Sequence, residues 1–233
     1  MSPGPFDPRF EDLPQVIPVF PLTGILLLPQ GKLPLNIFEP RYLAMVRDAL
    51  ADEYRMIGMV QPRLPDPSDN RGPSDTMAMA DQPEIYTTGC AGRITAFSET
   101  EDGRYMMTLS GICRFDIAKE MTLRDGYRRI LADYQRFRGD LSPASESTID
   151  RKRLLSVVRR YFEQQNIQAS WDTVEATPND RLVTSLAMTC PFGPNERQAL
   201  LEAEDITARA KMVITLLEMA LVDNSGDGGA SIN

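Results

Sequence analysis

Apolar residues in the first part of the chain come in short runs: Ile17, Val19 and Phe20, then Ile25 to Leu28, then Leu33, Leu35, Ile37 and Phe38. They are punctuated by Pro21, Gly24, Pro29, Gly31 and Pro34. Runs this short, bounded by turn residues, predict buried strands. The period then changes. Pro40 suits the first turn of a helix, where its missing N–H needs no partner, and Leu43, Val46, Ala49 and Leu50 follow as one helical stripe. Tyr54 to Gln61 predicts a further strand. Residues 85–98 and 104–117 predict a strand pair joined at Asp102-Gly103, a hairpin signal. In the second of these, Tyr105, Met107 and Leu109 alternate with Met106, Thr108 and Ser110, as on a strand with two unlike faces. Tyr127 to Phe137 predicts a last strand with Ile130, Ala132 and Tyr134 on one side. Gly89, Gly92 and Gly111 within these patterns predict bulges or close backbone approach, as in a small, strongly curved barrel.

Beyond the small, polar stretch 139–148 the spacing becomes helical. Asp150 is a candidate N-cap for a helix striped by Leu154, Leu155, Val158, Tyr161 and Phe162. Asn179 or Asp180 opens a second helix, Asn195 a short third, and a fourth from about Asp205 presents Ile206, Ala210, Val213, Ile214, Leu217, Ala220 and Leu221. Trp171, the only tryptophan, falls in a connecting segment and is expected as a buried anchor. The expected organisation is a flexible arm (1–14), a β domain (15–140), a helical subdomain (141–223) and a flexible tail (224–233). A long Pro-rich polar loop over 63–83 interrupts the β domain, either disordered or a flap over a groove.

Composition narrows the chemistry. The net charge of −8 opposes general attraction to nucleic acid or an anionic membrane surface. No apolar run approaches the roughly 20 residues that span a bilayer, and residues 1–14 have no signal-peptide pattern, so a cytoplasmic protein is expected. Cys90, Cys113 and Cys190 are odd in number and far apart, which suits buried free thiols better than a zinc site or disulfide framework. The chain has no histidine, which excludes every Ser-His-Asp, Cys-His and His-metal arrangement. Gly24, Gly31 and Lys32 resemble a phosphate loop only faintly, because the glycines are misspaced and Leu33 replaces the metal-binding hydroxyl. The acids at Glu99, Glu101 and Asp102 and at Glu202, Glu204 and Asp205 fit a hairpin tip and a helix start. No catalytic residue, cofactor or metal is expected.

Several segments carry a family resemblance. Ile17-Pro18-Val19-Phe20-Pro21-Leu22, with Ile25 to Pro29 and Pro34-Leu35 after it, resembles the opening of the amino-terminal substrate-binding domain of Lon proteases. Phe38-Glu39-Pro40-Arg41-Tyr42 is most similar to small bacterial proteins made of that domain alone. Gly89 to Ile94 resembles the family's strand entry, and Leu109-Ser110-Gly111-Ile112-Cys113-Arg114-Phe115 its "hydrophobic-x-Gly-hydrophobic-x-Arg-hydrophobic" strand. Residues 182–221 resemble the helical bundle that follows. The resemblance implies an α+β fold, a PUA-like β pseudo-barrel with one inserted helix and then a C-terminal helical bundle. It also implies recognition without proteolysis, since the chain ends before the ATPase and Ser-Lys peptidase domains of full-length Lon could begin.

The function expected on these grounds is non-catalytic capture of unfolded or damaged polypeptides through the cleft between the two parts, with a separate protease or chaperone as a further partner. Twelve methionines suit a permissive surface. Met77 and Met79, in the polar loop, and Phe38, Glu39, Arg41 and Tyr42, at the helix start, are the candidate contacts. The alternative is a small-molecule- or RNA-binding module on the same barrel. Residues 121–160 hold ten Arg or Lys against five Asp or Glu, interleaved with Tyr127, Tyr134 and Phe137, yet charges that guard strand edges explain the same residues. RNA is accordingly disfavoured, and neither DNA nor a membrane is expected as a partner.

Overall fold

The computed structural model describes residues 8–63, 83–142 and 148–226, with side chains to Val222. The chain divides into two compact units, Met1–Pro143 and Ala144–Asn233. The first unit carries strands β1 (Val16–Pro21), β2 (Lys32–Ile37), β3 (Met56–Val60), β4 (Thr88–Glu99), β5 (Tyr105–Arg124) and β6 (Tyr127–Asp133), with helix α1 (Pro40–Ala51) between β2 and β3. β1 lies parallel to β3 (Val19 opposite Gly58) and antiparallel to β6 (Ile17 opposite Ile130). β3 pairs with β4, β4 with β5, and β5 with β6. The succession β5-β4-β3-β1-β6 thus returns to β5 and closes a ring, with β2 added on the first half of β5 (Leu35 opposite Met107). Closure depends on the length of β5. Its twenty residues change partner midway, from β4 and β2 to β6. This is the expected pseudo-barrel with its inserted helix, and the fold class is α+β.

Phe115 fills the inside of the ring among Ile17, Val19 and Ile130, all essentially inaccessible. A Cβ at Gly89 would stand 2.5 Å from its ring and 2.7 Å from the Met59 carbonyl oxygen, so the barrel is as narrow as its glycines allow. Gly111 is tighter still, since a Cβ there would meet the Leu28 carbonyl oxygen at 2.0 Å. The Gly111 N–H donates to Gly31 O and its carbonyl accepts from Gln30 N–H, each at 2.8 Å. The segment Ile25–Leu28 is therefore pressed against β5 but makes no strand of its own, contrary to the sequence pattern. Leu26, Leu27 and Leu28 are buried by packing instead of by a ladder.

Arg114, buried, donates from its backbone N–H and from Nε to Asp140 Oδ2 at 2.9 Å, and from Nη2 to Oδ1 at 2.8 Å. This pair fastens the 3₁₀ turn Gln135–Leu141 to the barrel. Burial and the Asp140 carboxylate push the neighbouring Cys113 thiol up to about 12, and all three cysteines are buried and free. Residues 8–14 are not a loose arm. Leu13 is buried, Pro14 O accepts from Tyr134 OH at 3.0 Å, and Arg138 pairs with Glu11.

The described residues of the second unit form five helices: α2 (Arg151–Gln164), α3 (Trp171–Ala176), α4 (Asn179–Thr189), α5 (Pro194–Glu202) and α6 (Ile206–Gly226). Asp150 caps α2, its carboxylate accepting from the Arg153 N–H at 3.0 Å. Asp205 does the same for α6 through Ala208 N–H. The buried Arg197 reaches back to the carbonyls of Met188, Cys190 and Phe192, closing the carboxyl end of α4. Trp171 opens α3, a helix not expected from sequence. It is half-buried rather than a buried anchor, against Phe162 with the Arg159 guanidinium 4.7 Å from its ring. Helix α6 runs on to Gly226, into the predicted tail, and residues 227–233 lie outside those described.

Candidate functional site

Within the first unit, a cavity of about 280 Å³ is lined by Phe20 to Thr23, Glu39, Arg41, Tyr42, Pro62, Pro83 and Gly126 to Arg128. Three sequence features assemble it. Pro21 ends β1, and the next residue keeps register through Leu22 N–H to Val60 O at 3.1 Å. Glu39 is the N-cap of α1 in extended conformation, followed by Pro40 at the first helical position. Asp125 and Gly126, with φ of 47° and 83°, make a two-residue left-handed turn between β5 and β6. A Cβ on Gly126 would lie 3.3 Å from Arg41 Cβ, so this turn abuts the start of α1.

The lining is mostly apolar, with charges that are already matched. Arg41 pairs with Glu39 at 3.0 Å and stands 4.8 Å from the Tyr42 ring, and the two side chains remain 28% and 43% exposed. Arg128 donates to Pro83 O at 2.6 Å and to Glu120 Oε2 at 3.1 Å. Tyr127 donates its hydroxyl to Asp48 Oδ2 at 2.6 Å, which also receives Arg124 Nε at 3.1 Å. Burial first, and then the Asp48 carboxylate, push the Tyr127 phenol up to about 12. Among the described residues no cysteine, serine or lysine lines the cavity, and the phenol stays protonated at neutral pH. The arrangement offers an apolar surface with a near-neutral charged rim.

Of the predicted contacts, Glu39, Arg41 and Tyr42 come together here. Arg41 and Tyr42 do not both face inward: Tyr42 is buried against Phe20 at 4.3 Å while Arg41 stays partly accessible. The helical stripe centres on Tyr42, Met45, Val46 and Ala49, while Leu43 and Leu50 are only partly buried. Phe38 is 64% exposed but does not line the cavity. Met77 and Met79, with most of the 63–83 loop, lie outside the described residues. Sequence reasoning missed Tyr127 and Arg128 as lining residues, although the second Asp-Gly pair, at 125–126, marked the turn that delivers them.

Arg124, Arg128, Arg136, Arg138, Arg153 and Arg159 are each paired with an acid. Tyr127, Tyr134 and Phe137 are buried and offer no stacking platform. Among the described residues, no group of three or more Cys, Asp or Glu is placed to hold a metal, and no helix is long and apolar enough to cross a membrane.

Residues 16–219 match the family model of the ATP-dependent protease La (LON) substrate-binding domain. The chain belongs to that family. Over 209 residues this LON domain is 27% identical to Lon protease 2 of Myxococcus xanthus and 27% identical to Lon protease of Anaeromyxobacter dehalogenans, covering 89% of the chain in each case. It spans about a quarter of the length of those relatives, 24% and 23%. Its fold is shared with a Lon N-terminal domain protein from Xanthomonas campestris, at TM-score 0.57 and 21% identity over 86% of this chain and 97% of that one. The N-terminal domain of Mycobacterium avium complex Lon protease superposes at TM-score 0.58 and 17% identity over 87% of this chain and 98% of that one. The family to which the LON domain belongs is thus described as a substrate-binding one.

Proposed function

We propose that this LON domain binds unfolded or damaged polypeptide without chemical turnover, using the cavity at the start of α1 with Glu39, Arg41 and Tyr42 in contact and Phe38 flanking it. The observation that carries this reading is the combination of a mostly apolar lining with an exposed Arg41–Glu39 pair at its mouth. A volume of about 280 Å³ gives room for an inserted side chain and lies at the small end of the roughly 300 to 1,000 Å³ of small-molecule sites. Either half of the Arg41–Glu39 pair can exchange its partner for a backbone carbonyl or N–H of a bound chain. The setting we infer is cytoplasmic protein quality control, in which the bound chain passes to a separate protease or chaperone.

The test is retention of a chemically unfolded, carboxymethylated model protein on the immobilised domain, with its folded form and cellular RNA as competitors. The expected result is retention of the unfolded form alone, reduced at least several-fold by Arg41→Glu, with no cleavage in the presence or absence of ATP. Retention of RNA in place of unfolded chain would favour the alternative binding module.

A further inference from the structure

Among the described residues, ring closure leaves the far end of β4 without a partner strand on one side. β3 accompanies β4 only as far as Met56 opposite Arg93, and Ile94 N–H makes a last bond to Arg55 O at 2.9 Å. At Arg55 the backbone is left-handed, with φ of 52°, and the chain before it leaves the ladder. β4 runs on through Thr95–Glu99, every residue exposed, with β5 on one side and no described strand on the other. The direction of the unused groups follows from the hairpin. Thr100 N–H bonds Arg104 O at 3.0 Å, and bonded and non-bonded pairs alternate along an antiparallel ladder. Ser98 opposite Met106 is therefore a bonded pair, and the N–H and C=O of Phe97 and Glu99 point away from β5.

The opposite edge of the same sheet is protected. β2 carries Lys32 and Pro34, both exposed, which are residues that discourage strand addition. Thr95–Glu99 has no proline and no lysine. Phe97 is 37% exposed and packs edge-on with Tyr105 at 5.0 Å, which offers an apolar neighbour to a side chain across from it. Beyond it stand the exposed acids Glu99 and Glu101, while Asp102 is occupied by Arg104 at 2.8 Å.

We propose that the Thr95–Glu99 edge of β4 takes an extended segment of polypeptide as an added strand, with an apolar or β-branched residue beside Phe97 and a Lys or Arg toward Glu99 and Glu101. Main-chain hydrogen bonds supply affinity that is independent of client sequence, and alternate side chains supply preference. The inference rests on the polypeptide-binding reading but uses a surface separate from the cavity at α1. A second copy of the chain is the poorer occupant, because each copy has a net charge of −8 and repels the other.

The probe is a fluorescent peptide alternating Thr with Val and Phe and ending in Lys, titrated by anisotropy against the full chain. Backbone N-methylation is placed on alternate residues in one register or the other. One register removes the donors facing Phe97 and Glu99 and is expected to weaken binding at least about tenfold, the other less than about twofold. Phe97→Pro deletes the outward N–H and is expected to match the damaging register, while Phe97→Thr keeps the N–H, loses the ring and costs about threefold. The methylation pattern stands even if Phe97→Pro proves unstable. Equal loss in both registers overturns the edge assignment and leaves polypeptide binding intact. A concentration-dependent dimer abolished by Phe97→Pro assigns the edge to self-association and overturns the proposal. Absence of binding by any peptide to the wild-type chain overturns both this inference and the function on which it rests.

Discussion

Arg114 and Arg41 are surrounded by the same groups and behave as opposites. Each faces a carboxylate, Asp140 or Glu39, and each lies over an aromatic ring, Phe137 at 4.4 Å or Tyr42 at 4.8 Å. The Arg114 pair is 4% and 9% exposed, held by several hydrogen bonds to one carboxylate. The Arg41 pair is 28% and 43% exposed, with Arg41 Nε and Nη2 each reaching Glu39 Oε2. Sealed from water, the trio locks a turn to the barrel. Left in water, it is inexpensive to open and can accept a new partner. The chemistry is shared, and burial decides whether the pair is fixed in the fold or left open to exchange.

The sharpest way to break that contrast is to remove one half of the sealed pair. Arg114→Ala leaves the Asp140 charge buried without its partner and is expected to cost about 3–5 kcal/mol, read as a lowered denaturant midpoint. The double variant Arg114→Met with Asp140→Leu removes both charges and is expected to recover part of the loss. If the single variant unfolds at the wild-type midpoint, the sealed pair is no lock. Next in size is Gly111→Ala, whose methyl must displace the Leu28 carbonyl now 2.0 Å from its position. Overpacking against backbone is expected to cost about 1–3 kcal/mol or more.

A pair of intermediate burial sharpens the comparison from between. Tyr127→Phe removes the hydrogen bond to Asp48 and is expected to cost about 1 kcal/mol at neutral pH. Its pH dependence is more telling. The folded phenol is raised to about 12, above the 10.0 of a free tyrosine. The stability it contributes is therefore complete below about pH 10 and is lost as pH rises through 12. Wild-type protein should lose stability over that window more steeply than Tyr127→Phe. Superimposable pH curves would show that burial and Asp48 do not hold the phenol protonated.

How much of this was legible in the chain depends on whether local pattern or long-range closure decides. The alternation of Tyr105, Met107 and Leu109 placed their faces correctly, and Asp150 as a cap needed only its position before an apolar stripe. Ile25 to Leu28 misled because an apolar run bounded by turn residues means burial, while a strand also requires an unoccupied ladder. Gly111 instead makes its backbone bonds to Gln30 and Gly31, on the C-terminal flank of that run. The extension of β5 to Arg124 was missed because residues 118–124 are all exposed, Met121 and Leu123 among Lys119, Glu120 and Arg124, so no buried face marks the strand where it pairs outside the core. The cavity was half legible. Glu39 to Tyr42 stood out by resemblance, whereas Tyr127 and Arg128 reach it only because the second Asp-Gly turn folds β6 back against α1.

The smallest effect on stability, and the one that tests the exposed side of the contrast, belongs to Arg41. An ion pair this accessible contributes about 0–1 kcal/mol, because each partner is nearly as well solvated alone. Arg41→Ala should therefore leave the denaturant midpoint within about 0.5 kcal/mol of wild type. The same substitution should weaken retention of unfolded polypeptide several-fold, since it strips the cavity mouth of its accessible donor and of the cation over Tyr42. Arg41→Lys separates the two contributions. It keeps the charge but loses the planar fork that can bind a carbonyl while stacking on a ring, so retention between the alanine variant and wild type is expected. A midpoint that falls as far as that of Arg114→Ala would make Arg41 a structural residue, and the distinction between sealed and open pairs would fail at its weakest point.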